Sequence, residues 1–128
     1  MLPSHLTDIG YRCFYGCPLE EITLPESMTR IENYAFYNCD LTSIELPSSV
    51  NWIKEKTLAC PNLTEIICHR TTAPSLANSS NSPFGNTVSG VHIPKYGTLY
   101  YPEGADYSSW LSNSQYYLGY WEWTGEEM

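Results

Sequence analysis

Five cysteines (Cys13, Cys17, Cys39, Cys60, Cys68) and three histidines (His5, His69, His92) are the side chains of this chain best suited to a metal ion, a disulfide or a nucleophile. Zinc sites pair their ligands at short spacings, but Cys17 and Cys39 lie 22 residues apart. His69 follows Cys68 directly, so on a strand the two side chains point to opposite faces. No histidine sits in a Ser, Cys or Asp pattern resembling a nucleophile site, and no glycine-rich phosphate loop is present. The expectation is therefore no catalytic residue, no metal, no cofactor and no enzymatic activity.

Composition narrows the partners. The chain has 128 residues, enough for one domain with a real core, and 42% of them are hydrophobic. Its net charge is −8, and residues 71–128 hold a single basic side chain, Lys95, against five acidic ones. With no basic stripe, nucleic acid and anionic membrane are poor partners. No apolar run is long enough for a spanning helix. "MLPSHLTDIG" has neither the basic nor the apolar region of a signal peptide.

The cysteine spacing leads to the elements that position these side chains. When residues 2–24 are laid over residues 24–46, ten of 23 positions are identical, among them Ile9/Ile31, Phe14/Phe36, Cys17/Cys39, Leu19/Leu41 and Ile22/Ile44. Ordinary composition would give roughly one or two. A third copy follows through Ile53, Leu58, Leu63, Ile66 and Cys68, with Cys60 one residue early. A fixed period in the low twenties is the signature of a solenoid.

Each coil reads as two halves. "LEEITLP", "LTSIELP" and "LTEIICH" place two apolar residues on one side of a short strand. Proline closes the first two, because it cannot donate to a ladder. "IENYAFYNC" spaces Ile31, Ala35, Phe36 and Cys39 so that a helical turn would bring them to one face. Neither half buries its apolar side alone, so coil must stack on coil, strand on parallel strand. All five cysteines then fall on inward columns. They read as small hydrophobes rather than disulfides, because stacked columns do not hold disulfide geometry.

"LTSIELPSSVNWI" and "IENYAFYNC" resemble the BspA-like leucine-rich repeat, L-x-x-I-x-L-P, then V/I, then I-x-x-x-A-F-x-x-C. The resemblance covers residues 2–70 and departs in the third coil, where Thr57-Leu58 replaces Ala-Phe and His69 replaces Pro. It implies a leucine-rich-repeat solenoid, with short parallel β-strands alternating with short helical turns. It also implies an extracellular or cell-surface setting and, as attributed to some members, adhesion or protein binding. Because the chain opens at "LPSHLTDIG", in the middle of a coil, it reads as a C-terminal fragment with signal and anchor expected upstream. Leu6, Ile9 and Phe14 should then be more exposed than their second-coil copies.

From Thr71 the period breaks. Residues 1–70 read as repeats of 22-residue period, and residues 71–128 as an irregular loop, two short strands and a non-repeat aromatic C-terminal cap, all one continuous domain. "TTAPSLANSSNSPFGN" is a loop by composition. "GVHIP" and "GTLYYP" read as strands that continue the ladder or form a hairpin around Lys95-Tyr96-Gly97. "ADYSSWLSN" reads as a short helix with Asp106 as N-cap. Asn62-Leu63-Thr64 and Asn78-Ser79-Ser80 match the glycosylation sequon, which carries no meaning in a bacterial protein.

Two surfaces follow as candidates. The outward strand positions, with Glu21, Thr23, Ser43, Glu45, Glu65 and Ile67, stack into a polar, acidic face. Such a face is either merely solvated or a binding surface for a polar or basic partner. The tail is dense in rings, with Tyr101, Tyr107, Trp110, Trp121 and Trp123 foremost. They either bind sugar or protein, or cover the open end of the solenoid. The functional reading is a non-enzymatic surface or secreted module that binds protein or glycan. The alternative is a purely structural capping or spacer segment.

Overall fold

The computed structural model describes residues 2–77, 81–86, 91–112 and 116–128. Its strands are β1 (Asp8–Ile9), β2 (Arg30–Ile31), β3 (Ser43–Leu46), β4 (Trp52–Ile53), β5 (Glu65–Cys68), β6 (Ser75–Leu76), β7 (Gly85–Asn86), β8 (Val91–His92), β9 (Tyr96–Tyr101) and β10 (Glu122–Glu127). Two parallel ladders of four strands run through the coils, β1-β2-β4-β6 and β10-β9-β5-β3. The chain is thus a parallel β-solenoid of about four turns.

The columns stack in register. Ile9 pairs with Ile31 and Ile31 with Ile53 in the first ladder. Ile44 pairs with Ile66, Ile66 with Leu99, and Leu46 with Cys68 in the second. All of these side chains are buried in one core, together with Leu41, Leu63, Phe36 and Leu58. In the first coil Ile9 is buried but Leu6 and Phe14 are only half-buried, whereas Met28, Ile31 and Phe36 are wholly covered.

The half-coils are not helical. They are successive turns, and their hydrogen bonds explain why. Alternate amides close turns within the coil: Cys13 N–H to Gly10 O at 3.1 Å, Tyr15 to Arg12 at 3.1 Å, Cys17 to Phe14 at 3.0 Å. The amides between them donate to the next coil: Arg12 to Asn33 O at 3.2 Å, Phe14 to Ala35 at 2.8 Å, Gly16 to Tyr37 at 2.8 Å. A helix would keep every amide inside the coil. Two of these three donors, Arg12 and Gly16, have left-handed backbone, and it recurs with the period: Arg12, Tyr34 and Lys56 at φ 58°, 60° and 54°, Gly16 and Asn38 at 67° and 58°. Rings help to hold the first column, since Arg12 lies over Tyr15 at 4.8 Å and over Tyr34 at 5.8 Å.

Other expectations need correction. Residues 19–24 join no strand, so the second ladder begins at β3. Leu19 and Ile22 bury only partly, which leaves less apolar burial to hold this segment in the ladder. Cys13 is exposed and Cys17 half-buried, because their coil is covered on one side only, whereas Cys39, Cys60 and Cys68 are buried. All five are free thiols. "GTLYYP" does continue the ladder, as β9 beside β5. "GVHIP" contributes β8, which pairs antiparallel with β7, so no hairpin forms around Lys95. Of "ADYSSWLSN", the described residues 105–112 hold turns and no helix: Asp106 Oδ1 accepts from Ser108 N–H at 3.0 Å, and the next described helix is a single 3-10 turn at Leu118–Tyr120.

The ladders run on past residue 70, through β6, β9 and β10. β10 pairs with β9 over six residues, Glu122↔Tyr96 to Glu127↔Tyr101. Gly97 permits the approach, because a Cβ there would lie 2.5 Å from the Trp123 ring and 2.7 Å from Thr64 O. The sequon at Asn78-Ser79-Ser80 lies outside the described residues.

Candidate functional site

The second ladder presents two outward rows. Register aligns Ser43, Glu65, Thr98 and Thr124 in one row, and Glu45, Ile67, Tyr100 and Glu126 in the other. Period two turns these side chains outward because their neighbours, Ile44, Ile66 and Leu99, turn in. Glu45, Thr124 and Glu126 are exposed, and the other five half-buried. Polar contacts bind coil to coil within the face: Ser43 Oγ–H donates to Glu65 Oε1 at 3.0 Å, and His69 Nε2 meets Glu45 Oε2 at 2.5 Å.

The structure therefore brings Ser43, Glu45, Glu65 and Ile67 together. Glu21 and Thr23 are exposed but stand off the ladder. Thr23 still borders a cleft of about 190 Å³ with Glu26, Glu45, Pro47 and His69. Glu21 lines an apolar cavity of about 370 Å³ with Leu2, Phe14, Leu19 and Ile22. Four members of the face escaped the sequence reading: Thr98, Tyr100, Thr124 and Glu126. In β9 only Leu99, between the first two, is buried. In β10 only Trp123 is buried, so the last two carried no periodic signal.

The aromatic candidates divide. Tyr107, Trp110 and Trp123 are buried, and Tyr101 and Trp121 half-buried. Tyr101 stacks on Tyr107 at 5.2 Å, and Trp110 packs against Tyr107 and Phe84 at 5.6 Å each. The polar edge of each buried ring donates to a backbone carbonyl of residues 70–94. Tyr107 Oη–H reaches Arg70 O at 2.7 Å, Trp110 Nε1–H Pro74 O at 3.1 Å, and Trp123 Nε1–H Pro94 O at 2.8 Å. Burial pushes the Tyr107 hydroxyl well above its ordinary pKa. These rings tie the long connection down, and Tyr96 and Tyr120 are the exposed large rings left in the tail.

The first ladder carries a feature not singled out in the sequence. Asp8, Arg30, Trp52 and Ser75 occupy its outward positions, and Trp52 is 53% exposed. Glu32 accepts from Arg30 at 3.1 Å and Lys54 at 2.9 Å, and the Lys54 bond first among these contacts holds its carboxyl below the ordinary pKa.

Among the described residues, no group of three or more His, Cys, Asp or Glu is placed to hold a metal ion. No helix among them is long and apolar enough to cross a membrane. Set beside known proteins, residues 1–96 match the family model described as BspA type leucine rich repeat region, in 6 copies. Searches of curated proteins and of solved structures find no match.

Proposed function

The chain belongs to the BspA-type leucine-rich repeat family, and we propose that it is a non-enzymatic protein-binding module of a secreted or cell-surface protein. It holds its partner on the outward face of β3, β5, β9 and β10. One observation carries the reading: eight outward side chains from four strands lie in two register-locked rows. Rigid presentation lowers the entropy lost on binding. The carboxylates of Glu45, Glu65 and Glu126 suit a partner segment rich in Lys and Arg, and they act mainly on association rate and selectivity. Adhesion to a surface displaying such a partner follows from the same face.

The test is an array of peptides graded in charge, probed with the wild-type chain and with Glu45→Lys/Glu65→Lys/Glu126→Lys. The proposal expects selective capture of basic peptides by the wild type and its loss in the variant. An unchanged profile removes this face from the account.

A structural part is proposed for the tail. Burial of Tyr107, Trp110 and Trp123 supports a role in closing the end of the solenoid rather than in contacting a ligand.

A further inference from the structure

Trp52 stands between two shallow troughs on the outward side of the first ladder. One trough, of about 410 Å³, is lined by Thr29, Arg30, Asn51, Trp52 and Lys54. The other, of about 310 Å³, is lined by Asn51, Trp52, Arg70, Thr72, Ala73 and Ser75. Trp52 and Asn51 border both. Parallel stacking sets neighbouring strands about 4.8 Å apart, so the two troughs follow each other along the stacking direction.

The charge here differs from that of the rest of the chain. Of its six Lys and Arg residues, three line these troughs, whereas the net charge is −8. Glu32 offsets one of them, through its bonds to Arg30 and Lys54, and exposed Asp8 neighbours Arg30 in the ladder. Arg70 makes no ion pair among the described residues; one of its amino groups donates to Ser48 O at 3.0 Å. Its remaining donors suit a carboxylate or sulfate, which a guanidinium binds in bidentate fashion.

We propose that these troughs form a binding site for an anionic saccharide. A sugar ring lies against the exposed part of the Trp52 indole, beside the Lys54 ammonium 5.6 Å from the ring centroid; its hydroxyls meet Asn51, Thr29, Thr72 and Ser75, and its acidic group meets Arg70. Trp is suited to this, with a flat apolar body beside polar surroundings. The lining favours a saccharide over an acidic peptide. Apart from Trp52 and Ala73 it contains no apolar side chain, whereas a protein hot spot needs a packed, desolvated pocket. This site lies on the other ladder from the proposed protein-binding face and is independent of it.

The experiment is titration of the chain with polygalacturonate (carboxylate), heparin (sulfate), neutral dextran and poly-glutamate, followed by acrylamide quenching of tryptophan. Trp110 and Trp123 are buried and Trp121 half-buried, so quenching reports chiefly on Trp52. Saturable binding of either acidic saccharide, weaker binding of dextran and shielding of Trp52 are expected, and the arm that binds identifies the acidic group. Trp52→Ala weakens binding about tenfold. Arg70→Gln lowers the preference for the acidic saccharide over dextran, and serves alone should the first variant not fold. Three results overturn the proposal: no saturable binding of either acidic saccharide, binding unchanged in folded Trp52→Ala and in Arg70→Gln, or poly-glutamate binding as tightly as the saccharides.

Discussion

The Cys39 thiol donates to the carbonyl of Phe14, one coil away, at 2.7 Å, and Cys60 repeats the bond to Phe36 at 3.0 Å. The repeated cysteine is thus a coil-to-coil clasp as well as a small hydrophobe. It is inert where it is buried and open where it is not. Cys39→Ala removes the bond and leaves a small void, at a cost of about 1–2 kcal/mol. Urea unfolding measures it. Alkylation of the native chain at pH 8 labels exposed Cys13 first and spares Cys39, Cys60 and Cys68.

The same burial gives stability a pH dependence. The Cys39 thiol is pushed from its ordinary 9.0 up to about 11 by burial. Between those values the unfolded chain has released a proton that the folded chain keeps, so stability falls as pH rises through the window. The slope approaches about 1.4 kcal/mol per pH unit for this group. The advantage of wild type over Cys39→Ala is therefore full below pH 9 and narrows toward pH 11. Denaturation curves at pH 8 and pH 10.5 compare the two.

Left-handed backbone at Asn38 is required, because its amide must reach Ala59 O, a bond of 2.9 Å. Gly16 fills the same column in the first coil. Asn38→Gly is expected to lie within about 0.5 kcal/mol of wild type, and Asn38→Val to cost about 1–2 kcal/mol, since a β-branched residue resists positive φ. Thermal unfolding of the pair separates this from a role for the side chain, which would make both variants equally unstable.

Trp110 is wholly buried and bonds Pro74 O. Trp110→Ala is expected to cost about 3–5 kcal/mol. Trp110→Phe keeps most of the ring burial but leaves the Pro74 carbonyl without this donor, for about 1–2 kcal/mol. Chemical denaturation followed by circular dichroism gives both values.

Much of this architecture was legible in the residues. Ile9, Ile31 and Ile53 announce a column because an inward position must stay apolar in every coil. The strand face around Ser43, Glu45 and Glu65 follows from the same alternation. The turns are not legible in the residues, because Arg12, Tyr34 and Lys56 carry no left-handed signature; only the inter-coil amide bonds reveal why the backbone turns there. β10 was hidden for another reason. Its register comes from pairing with β9 and from Trp123 packed on Gly97, whereas its other residues face water and show no period. Trp52 passed unnoticed because exposure, not type, gives it meaning.

The central claim is that coils 22 residues apart stack in register. Methyl NOE spectroscopy on protein labelled at isoleucine and leucine methyls tests it directly. The account predicts strong contacts between Ile31 and Ile53 and between Ile44 and Ile66, with the latter's methyls also touching Leu99. Absence of the Ile44–Ile66 contact in the folded chain would contradict the stacked columns and the binding face built on them.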